Sequence, residues 1–223
     1  MDENALLASA RVPGEGGTLK LYKQGEDYTI RVHDTELMSS GAHESEDALA
    51  RLACAKLLSV PKPVVLIGGL GMGYTLAAAL KDVGAYGKVI VAELIPAVVE
   101  WNRGPLAHLA GRPLSDPRVE VRIQDIALSL QTEEEAFDAV LLDVDNGPQG
   151  LTRDSNNWLY SPEGLTAAYT ALRPGGVLAV WSSTPERSFS MRLRKIGFEV
   201  DEVRVSSVKH DDRHVIWLGV RRA

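Results

Sequence analysis

Residues 63–80, P-V-V-L-I-G-G-L-G-M-G-Y-T-L-A-A-A-L, constrain what this chain can fold into more than any other stretch. Residues 64–67 are apolar and largely β-branched, which suits a strand buried on both faces of a parallel sheet. Glycines at 68, 69, 71 and 73 predict a turn, and residues 75–80 open a helix. Strand, glycine turn and helix make half of a nucleotide site, because glycine lets backbone N–H groups approach a ligand where a side chain would collide. A glycine cluster alone does not name the ligand, so the rest of the chain must.

From there strands and helices alternate. Residues 88–93 read as a second strand, and Pro96 opens a helix running to about Arg103. Residues 119–123 are a third strand. Residues 137–143, F-D-A-V-L-L-D, are a fourth that terminates in a carboxylate. The polar connection 144–160 is long enough for an active-site lid. A helix over 162–172, a stop at R-P-G-G, a fifth strand over 177–182 and a helix over 185–196 follow. Residues 198–205 and 214–220 are joined by too short a link for a crossover, so they pair antiparallel. The pattern predicts an α/β fold: a doubly wound, mostly parallel seven-stranded, Rossmann-like sheet ending in an antiparallel hairpin. Ahead of it, residues 1–17 show no sustained period and predict a flexible arm. Residues 18–22 and 28–32 form a small N-terminal β-hairpin, followed by a helix over 44–58 with Ser45 as cap. The expected organisation is therefore an arm (1–17), a hairpin plus helix (18–60) and a catalytic domain (61–223).

The bulk properties exclude several functions. The chain has 223 residues, a formal net charge of -6 and no lysine-arginine tract, which argues against nucleic acid as a partner. Acidity is compatible with a cationic small substrate and is equally common among cytosolic proteins. The single cysteine, Cys54, excludes an intramolecular disulfide and reads as a small buried hydrophobe. His108, His210 and His214 lack metal-ligand spacing, so no metal site is expected. Acids stand near the N-terminus where a signal peptide needs bases, and the uncharged run 63–80 carries four glycines. A soluble cytoplasmic protein is expected, without membrane contact.

The glycine spacing narrows the ligand. A dinucleotide fingerprint would place Tyr74 where a small residue is needed, whereas Gly69, Gly71 and Gly73 spell G-x-G-x-G. With the terminal hairpin, that spacing favours the S-adenosylmethionine-dependent class. Glu93 ends the second strand where an acid can accept hydrogen bonds from both ribose hydroxyls; otherwise it is a solvated glutamate before a helix. Asp125 can bond an adenine amino group, cap a short helix, or do both. Asp143 ends the fourth strand on the same edge.

The chain resembles the spermidine synthase family of aminopropyltransferases and its methyltransferase-like relatives. V-L-I-G-G-L-G-M-G (65–73) is similar to that family's V-L-I-I-G-G-G-D-G-G, and V-A-E-L-I-P-A-V-V-E-W (91–101) to its second strand, acid and helix. D-P-R-V-E-V-R-I-Q-D-I (116–126) and D-A-V-L-L-D-V-D-N-G-P (138–148) resemble its third- and fourth-strand segments. The hairpin 21–32 corresponds to its N-terminal β-domain, and His43-Glu44 to its Tyr-His-Glu motif. The resemblance implies a homodimer that binds S-adenosylmethionine or its decarboxylated form. Gly69, Leu70, Gly71 and Gly73 would line the methionine part, Glu93 and Leu94 the ribose, and Asp125 and Ile126 the adenine. Asp143 would be the base and orienter for an incoming amine, with His43 and Asp145 on the substrate side. Trp158 and Tyr160 either wall the acceptor pocket or anchor their loop to the core.

Three departures shape the expected reaction. Met72 stands where the family's loop carries an aspartate, Ala42 replaces the motif's tyrosine, and D-V-D-N-G-P is shorter than the family's segment. Each removes polarity from the polyamine side, so methyl transfer to a small, possibly amine, acceptor is expected over aminopropyl transfer. Polyamine aminopropyl transfer is the alternative, and a non-catalytic nucleoside-binding protein the second.

Overall fold

The computed structural model describes residues 4–14, 17–33, 35–144, 154–183, 185–206 and 213–222. Period-two alternation divides the core of its main sheet into two layers. The strands are β5 (Val64–Gly68), β6 (Lys88–Glu93), β7 (Val119–Ile123), β8 (Phe137–Leu142), β9 (Leu172–Ser182), β10 (Phe198–Ser206) and β11 (Arg213–Arg221). Val65, Ile67, Val89, Val91, Ala139 and Leu141 face one layer, with helices α1 (Glu44–Cys54), α2 (Tyr74–Asp82) and α3 (Pro96–Arg103). Leu66, Ile90, Val140, Leu142, Leu178 and Val180 face the other, against α4 (Ile126–Thr132), α5 (Pro162–Ala171) and α6 (Arg187–Ile196).

The order is β10-β11-β9-β8-β5-β6-β7, with β5 through β9 parallel and β11 antiparallel to both β9 and β10. The chain winds outward from β5 in one direction through β6 and β7, then in the other through β8 and β9. Open α/β sheets bind ligands at such a reversal, outside the carboxyl ends of the strands. Register then fixes the site. Gly68 is level with Ala92 and Leu142, so the next residues, Gly69, Glu93 and Asp143, meet on one edge.

The N-terminal segment differs from expectation. Residues 5–11, expected to belong to a flexible arm, form β1 (Ala5–Arg11), which pairs with β2 (Thr18–Gln24). An irregularity in register between Leu6 and Ala8 interrupts the alternation that would mark a strand. With β3 (Asp27–Val32) and β4 (Thr35–Ser39), the expected hairpin becomes a four-stranded antiparallel sheet. The helix stops at Ala171, just ahead of R-P-G-G, but the next strand begins earlier than expected: β9 starts at Leu172, opposite Phe137, with a register irregularity before Val177 pairs with Ala139. His43, not Ser45, is the N-cap of α1. No helix among the described residues is long and apolar enough to cross a membrane.

Candidate active site

The loop after β5 is built for close approach. Gly69 has φ +87, and a Cβ there would lie 2.5 Å from the Asp143 carbonyl oxygen. Gly71, at φ +52, would place a Cβ 2.7 Å from the Met38 methyl. Both line a cavity at the carboxyl edge of the sheet. Gly73 does not: it is the N-cap of α2 and faces Asn102 and Pro113. The Asn102 amide donates to the Gly71 carbonyl at 2.8 Å, tying the loop to α3. We expect Gly69→Ala to weaken binding of an S-adenosyl nucleoside by roughly 5- to 100-fold, from a left-handed residue and a backbone collision together. Calorimetric titration checks this, and unchanged affinity would mean the loop does not touch the nucleoside.

Glu93 is 6% exposed and organises the next part of the site. One carboxylate oxygen accepts the Leu70 N–H at 2.8 Å and the other the Ile95 N–H at 2.8 Å. Burial pushes its pKa up, against the pull of those two backbone bonds. A carboxylate has about four acceptor sites, so two remain for a vicinal diol. Leu70 is buried and serves here through its backbone, while Leu94 lines the cavity. Asp125 caps α4, accepting the Ala127 N–H at 3.0 Å, and it also lines the cavity beside Gln124 and Ile126. The capping role is the one observed, and it leaves the side chain at the cavity wall.

Asp143 is half-buried in the cavity wall. Its carboxylate accepts the Thr75 hydroxyl at 2.6 Å; desolvation raises its pKa and that bond opposes the rise. Sequence reasoning missed the acid beside it. Glu46 on α1 is 8% exposed, lines the same cavity, and its pKa is pushed up to about 7, first by burial and then by the charge of Asp143. Its signal was available: Glu46, Leu49 and Ala53 share one helix face, so a carboxylate sits on the buried stripe. The N-terminal segment also contributes unexpectedly, through Val12 just past β1 and through Leu19, Ile30, Leu37 and Met38 of its sheet. Trp181 on β9 lines the cavity too.

The remaining substrate-side residues fall elsewhere. His43 stacks on Tyr74, with centroids 4.1 Å apart, and bonds Asp47 at 3.0 Å; it is not among the lining residues. Tyr160 is buried against Phe189 and donates to the Val144 carbonyl at 3.2 Å, so it anchors the loop. Trp158 packs partly buried against the same cluster, and Leu159 between them faces the cavity. Asp145 and His210 lie outside the described residues.

The fold is shared with solved spermidine synthases. One in complex with the transition-state analogue AdoDATO superposes with a TM-score of 0.80 at 19% identity, covering 99% of this chain and 75% of that one. A polyamine aminopropyltransferase of Mycobacterium tuberculosis is 34% identical over 128 residues, 56% of this chain and 23% of that protein. One from Korarchaeum cryptofilum is 30% identical over 125 residues, 56% of this chain and 36% of its own length. The match thus spans 23% and 36% of these two relatives' own lengths. These relatives correct the expectation of methyl transfer, since they carry the name of the alternative reaction. One premise behind that expectation fails as well. Met72 is fully buried in the core, so the loop position gives no view of the cavity's charge, and Glu46 brings a carboxylate in from another element. The spermine/spermidine synthase domain matches residues 46–193, well over half of the chain, and the chain belongs to that family.

Proposed function

We propose that this chain is an aminopropyltransferase that moves the aminopropyl group of decarboxylated S-adenosylmethionine onto an amine acceptor. One observation carries the reading. Among the described residues, every charged side chain lining the cavity is a carboxylate: Glu46, Glu93, Asp125 and Asp143. Such a cavity favours cationic ligands, and decarboxylation replaces a zwitterionic amino-acid end with a plain ammonium. The names of the curated relatives support the same reaction.

The glycine cradle and the part-used Glu93 carboxylate fit a nucleoside: Gly69 and Gly71 admit its chain, Glu93 holds the ribose, and Asp125 and Ile126 frame the base. Bound there, the nucleoside supplies a carbon made electrophilic by its sulfonium, whose C–S bond breaks as the N–C bond forms, releasing a neutral thioether. No acid is needed for that departure. Asp143 accepts the proton that the acceptor ammonium loses before its nitrogen attacks, and Thr75 fixes the orientation of the carboxylate.

Calorimetry with S-adenosylmethionine and its decarboxylated form, followed by a product assay with putrescine, tests the reading. Tighter binding of the decarboxylated form and release of methylthioadenosine are expected. Preference for intact S-adenosylmethionine, or no product with any common amine, would count against it.

A further inference from the structure

Buried acids in this fold are otherwise partnered. Asp138, 6% exposed, accepts the Val64 N–H at 2.8 Å and pairs with Arg173 at 2.6 Å. Glu93 is held by two backbone donors. Glu46 differs. It accepts the neighbouring Ser45 hydroxyl at 2.5 Å, and among the described residues neither Glu46 nor Asp143 has a lysine, arginine or histidine within ion-pair distance. Two carboxylates that repel each other in one cavity, with no basic partner, are costly to keep ionised together: either one holds a proton, as the raised pKa of Glu46 indicates, or a cation joins them.

We infer that Glu46 and Asp143 together form the ammonium-binding half of the acceptor site, with Glu46 as the residue that selects a cationic amine. This rests on reading the cavity as an amine-acceptor site, and it divides the labour there. Asp143 lies at the strand end beside Gly69, where the nucleoside chain passes, and takes the proton. Glu46 approaches from α1, outside the sheet edge, and supplies charge that stays in place through the reaction. The other ionisable groups around Glu46 do not neutralise it: Asp47 on α1 and Tyr74 on α2 add none of the opposite charge, and His43 is committed to Asp47 and to stacking on Tyr74.

The test is direct calorimetric titration of putrescine, and of butylamine, into the wild type and into Glu46→Gln, both saturated with methylthioadenosine. Loss of one charge-assisted contact should weaken amine binding roughly 10- to 100-fold. Methylthioadenosine affinity should change little, and Glu46→Asp should recover part of the amine affinity. In the wild type, amine binding should strengthen as pH rises through about 7, as Glu46 gives up its proton. That pH arm stands without any variant. Equal amine affinity in Glu46→Gln, or no measurable amine binding to the wild type, would overturn the inference. If the amine binds through Glu46 but no transfer follows, the reaction proposed above fails while this assignment stands.

Discussion

Asp143→Asn should lower aminopropyl transfer roughly a thousandfold while leaving nucleoside affinity within about threefold of wild type. The substitution is nearly isosteric, and an asparagine oxygen can still accept the Thr75 hydroxyl that now lies 2.6 Å from the carboxylate. What it loses is a proton acceptor and a negative charge. Methylthioadenosine release from the decarboxylated nucleoside and putrescine measures the first, and calorimetry with methylthioadenosine alone measures the second. Stability supplies an independent readout. The folded pKa values of Asp143 and Glu46 are both raised, so the folded protein holds protons that the unfolded chain releases. Their contribution to stability therefore falls as pH rises from the ordinary carboxylate range to about 7. Removing one charge of the pair should relieve this, so Asp143→Asn should melt no lower than wild type at pH 8. Its Glu46 should titrate below the wild-type value, because one cause of the upward shift is gone. Wild-type turnover in this variant would remove Asp143 from the chemistry.

The part of the cavity proposed for the nucleoside was legible in the sequence because it is local to strand ends. A glycine run after an apolar strand, and acids closing the next strands, need only a parallel register to meet, and the register Gly68 to Ala92 and Leu142 supplies it. The acceptor half depends on side-chain direction and on distant segments. Met72 illustrates the first: its place in the loop suggested a lost charge in the site, but its side chain is turned into the core. The cavity wall from Val12 to Met38 illustrates the second, since nothing in the period of short strands says what lies beneath them. β1 was hidden for a local reason, the register irregularity between Leu6 and Ala8. Glu46 was legible but unread, as the charged residue on an otherwise apolar helix face.

Glu93→Ala should cost both ligand and loop. The Leu70 and Ile95 N–H groups now sit 2.8 Å from its oxygens in residues that are 5% and 9% exposed. Stripped of that acceptor, each is a buried unpaired donor worth about 1–3 kcal/mol. The melting temperature should therefore fall markedly, and methylthioadenosine affinity should fall by roughly a hundredfold or more as the ribose loses two charge-assisted acceptors. Loop damage alone could weaken the nucleoside, so Glu93→Gln separates the two effects. Glutamine keeps an oxygen for one N–H, but it turns an NH2 group toward the other and offers the diol one acceptor fewer. If Glu93 binds ribose, adenosine should lose more affinity on Glu93→Gln than its dideoxy analogue, which has no diol to present. Equal losses for both would make Glu93 a clamp that joins the glycine loop to the start of α3, and nothing more.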